Sequence, residues 1–432
     1  MGAAGSLNVL LITIGSHGDV HPFVGLGKAL RARGHRVTLA TNGFFEELVR
    51  GHGLEFVELG KADDYRKLAK DPLLWHPTKS IFLLLSKVVP QLARPTYQII
   101  RERYLPGETV VAASSLAMGA LIAQEKLGVP VATIHLAPSV MRSEFDVPVL
   151  PGAPMRPWMP RWMLRALFRF ADRAVIDPLV APLINAFRAE LGLPPINSVL
   201  GTWWHSPRRV IGMWPEWFGP LQPDWPPQVR LTGFPLFDEK RDAHLPAEVE
   251  TFLAEGDPPI VFTPGSAMWQ GRAFFAESAD ACWQMDRRGI LLTRHREHVP
   301  KQLLPGVRHF DYIPFSQVLP RTAALVHHGG IGTTAQALAA GIPQLIMPMS
   351  HDQFDNASRV EKLGVGRTIS VRKYQAENVA NRLHALLGSE EIAGRCRKIS
   401  QQFSGVDGLG KAADEVQALV NVDEPAIVAE TF

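Results

Sequence analysis

The sequence predicts an α/β protein with two doubly wound, Rossmann-like domains that face each other across a cleft. Two patterns support this prediction. The chain opens with a βαβαβ alternation over residues 7–59, and a second α/β alternation begins at residue 259. A chain of 432 residues is also longer than one hydrophobic core usually requires. We therefore expect one parallel sheet in each half of the chain.

Apolar, β-branched runs predict the strands of the first half, and periodic apolar residues predict its helices. A glycine turn at residues 15–19 precedes a helix for which Pro22 suits the first position. The expected strands lie at residues 7–14, 36–40, 54–59, 109–113, 129–135, 209–213 and 229–232. The expected helices lie at residues 44–52, within 61–105, and at 116–127 and 162–191.

The second half repeats the alternation after a linker. Its expected strands lie at residues 259–263, 290–293, 307–310, 324–327 and 344–349, and its last helices at 376–388, 390–403 and 409–420. The charged run 238–244 predicts the linker. We expect a first domain (1–235), a linker (236–245), a second domain (246–405), and a C-terminal helix and tail (406–432). Whether that helix packs back on the first domain stays open.

Composition restricts the function classes. Hydrophobic residues make up 46% of the chain, and the net charge of +3 is too small to predict a nucleic-acid partner. Cys282 and Cys396 form neither a metal-ligand spacing nor a disulfide framework, and no apolar run has the length of a membrane span. We therefore expect a cytoplasmic protein without a metal site. The oligomeric state does not follow from the sequence.

The helical stretch 162–191 is basic and amphipathic, with Trp162, Phe168 and Phe170 among Arg165 and Arg169. Such a stretch lies on a membrane surface, lines an apolar pocket, or covers the first domain with snorkelling arginines. Covering is the simplest interpretation, because the basic residues do not lie purely on one face. Peripheral contact with the inner face of a membrane stays open.

The strongest functional pattern is the stretch 324–356. A strand leads into the glycine turn Gly329-Gly330-x-Gly332, and a helix follows, so its free N–H groups and dipole predict a phosphate site. His328 and Thr333 would supplement that site. The loop after the next strand carries Asp352 and Gln353, which are able to bind several hydroxyls. A diphosphate site beside a polyol site predicts a nucleotide-sugar ligand.

The first βα turn provides candidate acid–base groups. His17, Asp19 and His21 follow the first strand, where open α/β sheets bind ligands. For Asp19 the alternative is a helix-capping aspartate. We favour the base, because two neighbouring imidazoles would be redundant beside a simple cap.

Three segments carry a family resemblance: GSHGDVHP at residues 15–22, TPGS at 263–266, and HHGGIGTTAQALAAGIPQLIMPMSHDQFDN at 327–356. They resemble the GT-B, family-1 nucleotide-sugar glycosyltransferases. With the aromatic segment 203–226 and TGFPLFD at 232–238, the closest likeness is to bacterial rhamnolipid-type rhamnosyltransferases. The likeness to sterol and antibiotic-aglycone glucosyltransferases is looser. The resemblance covers essentially the whole chain and implies inverting, metal-independent transfer, with acceptor on the first domain and donor on the second.

The resemblance also implies residue roles. Ser266, His328, Gly330, Gly332 and Thr333 would hold the donor diphosphate. Asp352 and Gln353 would hold the donor sugar, and Tyr312 with Ile313 the nucleotide base. Lining up Pro22 places Asp19 in the Gly-Asp-x-x-Pro form of the antibiotic and sterol branches, with His21 and His17 as rival bases. A carboxylate that plant members use to orient a catalytic histidine is absent at residues 113–115.

We therefore expect a transferase that moves a hexose, glucose or rhamnose, from a UDP- or dTDP-sugar to a hydroxyl on an apolar lipid, sterol or aromatic acceptor, without a cofactor. The apolar acceptor is expected from the aromatic segments 158–170 and 203–225 and from the resemblance. Two alternatives stay open: a GT-B nucleotide-sugar epimerase and an inactive nucleotide-sugar or lipid-binding partner. A nicotinamide dehydrogenase is disfavoured, since the first turn lacks GxGxxG and no acidic residue ends the second strand.

Overall fold

Two parallel β-sheets form the framework of the computed structural model, which describes residues 6–239, 244–265 and 271–421. The first sheet has seven strands in the order β3-β2-β1-β4-β5-β6-β7, and the second has six in the order β10-β9-β8-β11-β12-β13. In both sheets the order reverses beside the first strand, as in doubly wound folds. The predicted fold class is thereby confirmed.

Every strand pairs in parallel with its neighbours. The strands of the first sheet are β1 Asn8–Ile12, β2 Arg36–Thr41, β3 Glu55–Glu58, β4 Thr109–Ser114, β5 Val131–His135, β6 Arg209–Gly212 and β7 Val229–Leu231. Those of the second sheet are β8 Ile260–Thr263, β9 Gly289–Leu292, β10 Val307–Phe310, β11 Ala324–His327, β12 Gln344–Ile346 and β13 Gly366–Thr368. The central strands are buried on both faces, which explains their continuous apolar runs.

Helices cover both faces of each sheet. Those of the first half are α1 His17–Ala32, α2 Glu46–Gly51, α3 Ala62–Lys70, α4 Lys79–Leu83, α5 Val89–Arg103, α6 Gly119–Leu127, α7 Arg161–Ala171 and α8 Asp177–Glu190. Those of the second half are α9 Ala247–Ala254, α10 Arg272–Gln284, α11 Phe315–Val318, α12 Ile331–Ala340, α13 Gln353–Leu363, α14 Ala376–Leu387, α15 Glu390–Gln401 and α16 Gly408–Gln417. None of the helices in the described part of the chain is long and apolar enough to cross a membrane.

Two sequence predictions about helices were wrong. Helix α1 begins at His17, so Pro22 lies inside it rather than at its first position. A capping box between Ser16 and Asp19 starts the helix five residues earlier than the proline pattern indicated. The first residues of helix α13, 353–356, were predicted as part of a loop and the rest of the helix was not predicted, because its apolar face is narrow and it follows the polar residues 350–352 directly.

The last helix crosses back to the first half. Leu409, Ala412 and Val416 of α16 join the core beneath α1, and Leu409 lies so close to Gly25 that a Cβ there would come within 2.8 Å. Arg33, the residue that caps the C-terminus of α1, donates to Asp414 at 2.8 Å. The two sheets lie within residues 8–231 and 260–368, on either side of the predicted linker. The exact domain boundaries stay predictions, since residues 240–243 lie outside the described chain.

A buried arginine braces the two halves. Arg359 of α13 bonds to Asp355 on its own helix at 2.7 Å and to Asp146 of the first half at 2.8 Å. It also donates to the carbonyl of Phe218, and Asp355 accepts from the N–H of Val149. Arg359 is only 6% exposed and Asp355 only 2%. The loop after β5 is thereby fixed against α13.

We expect Arg359→Met to destabilise the protein by about 3–5 kcal/mol, because it leaves buried carboxylates without their cation. The matched control is Arg321→Met, which breaks an exposed ion pair to Glu250 and should cost less than about 1 kcal/mol. Urea unfolding followed by circular dichroism measures both variants. Equal losses in the two variants would contradict the role of Arg359 as a brace.

Candidate active site

Asp19 lies in the first turn of α1, at the carboxyl end of β1. Its Oδ2 accepts from the backbone N–H of Ser16 at 2.7 Å and from the Ser16 hydroxyl at 3.2 Å. Gly15 has a φ of +145°, and a Cβ there would lie 2.2 Å from the same oxygen. The turn is therefore built to bring the carboxylate against the backbone. The capping role weighed from the sequence is present, and it leaves Oδ1 without a donor among the described residues.

The carboxylate of Asp19 faces the second half of the chain. Burial raises the pKa of Asp19 to about 6 against the Ser16 hydrogen bonds, and the charge of Asp352 raises it further. His351, whose φ is +54°, adds a small opposing effect. Burial lowers the pKa of His351 itself, and its ring bonds to the backbone of Leu74. The loop after β12 and the turn after β1 therefore meet across one cleft.

The two histidines of the first turn point to different surroundings. His17 packs on Phe44 and Phe45, with ring centroids at 5.7 and 5.0 Å. Burial lowers the pKa of His17 to about 4, and His21 lowers it further, so His17 is neutral at physiological pH. His21 instead bonds through Nε2 to Glu239 at 3.0 Å. Of the three predicted acid–base groups, Asp19 is the one whose pKa is affected by residues of the loop after β12, Asp352 and His351.

Glu239 joins the first half to the second. Its carboxylate accepts from His21 and, at 3.0 Å, from Arg294. Burial disfavours its charge, but His21 and Arg294 outweigh that effect and hold the pKa of Glu239 at about 2. Arg294 also lies 5.4 Å from the ring centre of Tyr312. Glu239 and Arg294 were missed from the sequence, because their partners are distant along the chain.

The turn after β11 is held by buried side chains. Gly329 has a φ of +91° and donates its N–H to His327 Nδ1 at 3.1 Å, while His327 Nε2 bonds to Gln344 at 2.9 Å. A Cβ on Gly329 would lie 2.8 Å from Ile346. His327 is fully buried. The first histidine of the pair is therefore structural, and it fixes the backbone from which His328 projects.

The ring of His328 lies between two glycines. A Cβ on Gly265 would come within 2.8 Å of the ring, and one on Gly330 within 2.5 Å. Burial lowers the pKa of His328 to about 4, so the ring is neutral. Its Nδ1 has no partner in the described part of the chain. Ser266, predicted to approach the phosphates beside Gly265, lies outside the described residues.

Helix α12 starts directly at this turn, with Gly330 as its N-cap. Its first-turn N–H groups have no intrahelical acceptor, and Thr333 lies half-buried among them. A Cβ on Gly332 would meet no atom within 4 Å. The glycine therefore leaves open space over the positive end of the helix, as a bound anion requires.

The two residues predicted to bind the donor sugar, Asp352 and Gln353, differ in how many polar atoms they have free for a ligand. Burial raises the pKa of Asp352 to about 6, and its Oδ2 accepts from Asn356 at 2.7 Å. Gln353 is buried, and its side-chain oxygen accepts from the N–H groups of Met349 and Ser350. Only the amide nitrogen of Gln353 is left for a ligand. Asn356 was missed from the sequence because α13, which places it one turn after Asp352, was missed.

The two residues predicted to bind the nucleotide base, Tyr312 and Ile313, differ in their exposure. Tyr312 is partly exposed beneath Arg294. Ile313 is 2% exposed and packs in the core with Leu292 and Val318. Since its side chain cannot reach a ligand, any contact of Ile313 with a base is restricted to its backbone.

The two aromatic segments predicted to line an acceptor pocket, 203–225 and 158–170, also differ in burial. Trp214, Phe218 and Trp225 are buried in a core that continues into the second half. Their packing explains the aromatic segment 203–225, so it does not indicate an acceptor pocket. In segment 158–170, by contrast, Trp158 and Trp162 are exposed.

Comparison with known proteins shows the family to which the chain belongs. Residues 9–145 match the model of the glycosyltransferase family 28 N-terminal domain, and residues 279–404 that of the erythromycin biosynthesis protein CIII-like C-terminal domain. The chain is 30% identical to O-mycaminosyltylonolide 6-deoxyallosyltransferase of Streptomyces fradiae, over 94% of this chain and 96% of that protein. The chain belongs to the GT-B glycosyltransferases.

Other relatives of this glycosyltransferase are also glycosyltransferases by name. Glycosyltransferase GtfE of Amycolatopsis orientalis is 29% identical over 98% of this chain and 100% of its own length. A sterol 3-beta-glucosyltransferase of Arabidopsis thaliana is 28% identical over 94% of this chain. The glycosyltransferase spans only 64% of that plant protein and 28% of the Candida albicans sterol 3-beta-glucosyltransferase. The closer likeness to rhamnolipid-type enzymes stays a prediction.

Solved structures share the fold. The glycotransferase of kitacinnamycin superposes with a TM-score of 0.73 at 20% identity, covering 96% of this chain and all of that one. The spinosyn rhamnosyltransferase SpnG, solved with thymidine diphosphate, superposes with a TM-score of 0.67 at 18% identity, covering 94% and 99%. The predicted GT-B architecture is confirmed.

The raised pKa of Asp19 makes stability depend on pH. A carboxyl whose folded pKa of about 6 exceeds its unfolded value of about 4 stabilises the fold below pH 4, and that stability is lost as the pH rises through 6. We therefore expect Asp19→Asn to gain stability relative to wild type between pH 4 and 6. Urea unfolding across this range measures it, with the exposed Asp64→Asn as control. A difference that does not change with pH would refute the shift.

Proposed function

We propose that this glycosyltransferase moves a hexose, glucose or rhamnose, from a UDP- or dTDP-sugar to a hydroxyl of an apolar acceptor, with inversion, without a metal ion, and with Asp19 as general base. One observation carries the proposal: the Asp19 carboxylate interacts electrostatically with Asp352, and Asn356 links Asp352 to Gly329 beside the N-terminus of α12, so the three groups line one cleft. The names of the relatives support the classes of substrate, since they include a 6-deoxyallosyltransferase and sterol 3-beta-glucosyltransferases.

The proposed reaction is a single displacement. The acceptor hydroxyl gives its proton to the Asp19 carboxylate as its oxygen attacks the anomeric carbon. The bond from that carbon to the diphosphate breaks on the opposite face, and its electron pair leaves with the diphosphate. Attack and departure on opposite faces invert the anomeric configuration. An Asp19 pKa of about 6 suits this role, because the group is ionised at neutral pH yet more basic than an ordinary carboxylate.

The leaving diphosphate requires neutralisation. The free N–H groups of α12 supply fixed positive dipoles at that position, and the Thr333 hydroxyl and the neutral ring of His328 offer hydrogen bonds. Because these groups can neutralise the diphosphate by themselves, we expect transfer to proceed in the presence of EDTA. Asp352, held by Asn356, offers its carboxylate to sugar hydroxyls.

The experiment that tests the proposal is a mass-spectrometric transfer assay with EDTA present. It combines UDP- and dTDP-glucose and -rhamnose with 3-hydroxy fatty acids, sterols and phenols. Proton NMR of the product gives its anomeric configuration. Donor conversion without acceptor would replace transfer by epimerisation, and nucleotide binding without any turnover would indicate an inactive binding protein.

For Asp19→Asn we expect transfer to fall by about a hundredfold or more, since an amide cannot accept the proton. The kcat/KM of wild type should rise with pH and level off above about 6, as Asp19 ionises. Steady-state rates from pH 5 to 8 measure both effects, with Asp64→Asn as the matched control. Loss of less than about tenfold, with His17→Asn or His21→Asn more severe, would move the base to a histidine.

For Gly332→Ala we expect the donor KM to rise by about tenfold while thermal stability is unchanged or slightly raised, since alanine favours a helix over glycine. The added methyl group has room in the free protein but occupies the space over the α12 N-terminus. The control is Gly394→Ala inside α15, whose Cβ also meets no close neighbour. Unchanged donor KM in Gly332→Ala would place the diphosphate elsewhere.

A further inference from the structure

Helix α7 exposes aromatic side chains to solvent. Trp158 just before it is 77% exposed, Trp162 is 68% exposed and Phe170 is 66% exposed. The opposite side of the helix packs normally, with Leu164 1% exposed. Large aromatic side chains are usually buried, and several together on one surface mark an interaction site.

The same surface carries a local excess of positive charge. Between residues 155 and 173 the chain has five arginines and one acidic residue, Asp172, which is buried and paired with Arg142. Arg165 is paired with Glu144. In the described part of the chain Arg169 and Arg173 form no ion pair, and both are exposed. The whole chain has a net charge of only +3, so this excess is concentrated here.

Helical geometry places the arginines and aromatics together. Residues 161, 165 and 169 follow one another at intervals of four, and Trp162 lies about 20° beyond Arg169 around the helix axis. Phe170 lies about 100° from Arg169, still away from Leu164. We name the exposed residues that share this surface the Arg-Trp face. It consists of Trp158, Arg161, Trp162, Arg169, Phe170 and Arg173.

The face is held on a fixed support. Asp172 accepts from Arg142 and from the hydroxyl of Ser198. Asp177, at the start of α8, accepts from the N–H groups of Ser198 and Val199. The helix therefore presents the face without needing to refold.

We propose that the Arg-Trp face binds the surface of an anionic phospholipid bilayer. Arginines on such a helix contact lipid phosphates, while tryptophan and phenylalanine rings enter the boundary between headgroups and acyl chains. A second copy of the chain is a poor occupant, because two such faces would bring like charges together. If the proposed function holds, an apolar acceptor would reach the cleft from the bilayer, since α7 follows the loop that leaves the carboxyl end of β5.

Sedimentation with lipid vesicles tests the proposal on the full-length protein. We expect binding to vesicles of phosphatidylcholine with phosphatidylglycerol to exceed binding to phosphatidylcholine alone by at least about tenfold, and to weaken with salt. The variants Trp162→Ala with Phe170→Ala, and Arg169→Glu with Arg173→Glu, should each lower vesicle binding by about tenfold or more.

Matched controls lie on the second half of the chain. Trp283→Ala removes a 62% exposed tryptophan of α10, and Arg372→Glu with Lys373→Glu reverses two exposed charges. Neither should change vesicle binding. Quenching of wild-type tryptophan fluorescence by brominated lipid, reduced in Trp162→Phe, gives a second readout that does not depend on the stability of the double variants.

The proposal is overturned if the face variants bind vesicles as wild type does, or if neutral and anionic vesicles bind equally. It is also overturned if sedimentation velocity without lipid shows a dimer that Trp162→Ala with Phe170→Ala dissociates. Transfer to a water-soluble acceptor, measured in the same variants, should equal that of wild type. A loss of vesicle binding with normal transfer separates this proposal from the proposed function.

Discussion

The backbone turn after β11 is the constraint on which the second half of the cleft depends. His327 accepts from Gly329 on one side, and Asn356 donates to the carbonyl of Gly329 at 2.9 Å on the other. Asn356 also holds Asp352. The conformation that opens the N-terminus of α12 is therefore tied to the orientation of a carboxylate one strand away. A change in either hydrogen bond would disturb both subsites together.

The first half contributes a group that is costly to bury. The Asp19 carboxylate loses hydration and faces Asp352, and both effects destabilise its charge. The buried pairs of Arg359 with Asp146 and Asp355 hold the two halves together against this cost. Enzymes commonly concentrate such unfavourable charge where chemistry needs it. The same proximity that weakens the fold raises the basicity of Asp19.

The sequence predicted what depends on local pattern. The apolar runs and glycine turns located the central strands, the α12 N-terminus and Asp19 at the end of β1, to within a few residues. It failed where side-chain hydrogen bonds to the backbone or packing between the two halves decide. Pro22 did not start its helix because the capping box of Ser16 and Asp19 lies upstream. Gln353 is tied to backbone groups, and Trp214 belongs to a core shared by both halves, and neither contact has a signal in local sequence.

Glu239 lies just before the chain passes from the first half to the second. Its carboxylate forms ion pairs with both halves, with His21 of the first and Arg294 of the second. Because one carboxylate bonds to both halves, it restricts their rotation about the connecting segment. Rotation of one half against the other would pull at least one partner from a carboxylate that is partly buried. Because Arg294 also lies over Tyr312, the contact of Glu239 with the second half and the surroundings of the Tyr312 ring depend on one cation, so a change at either place would alter the other.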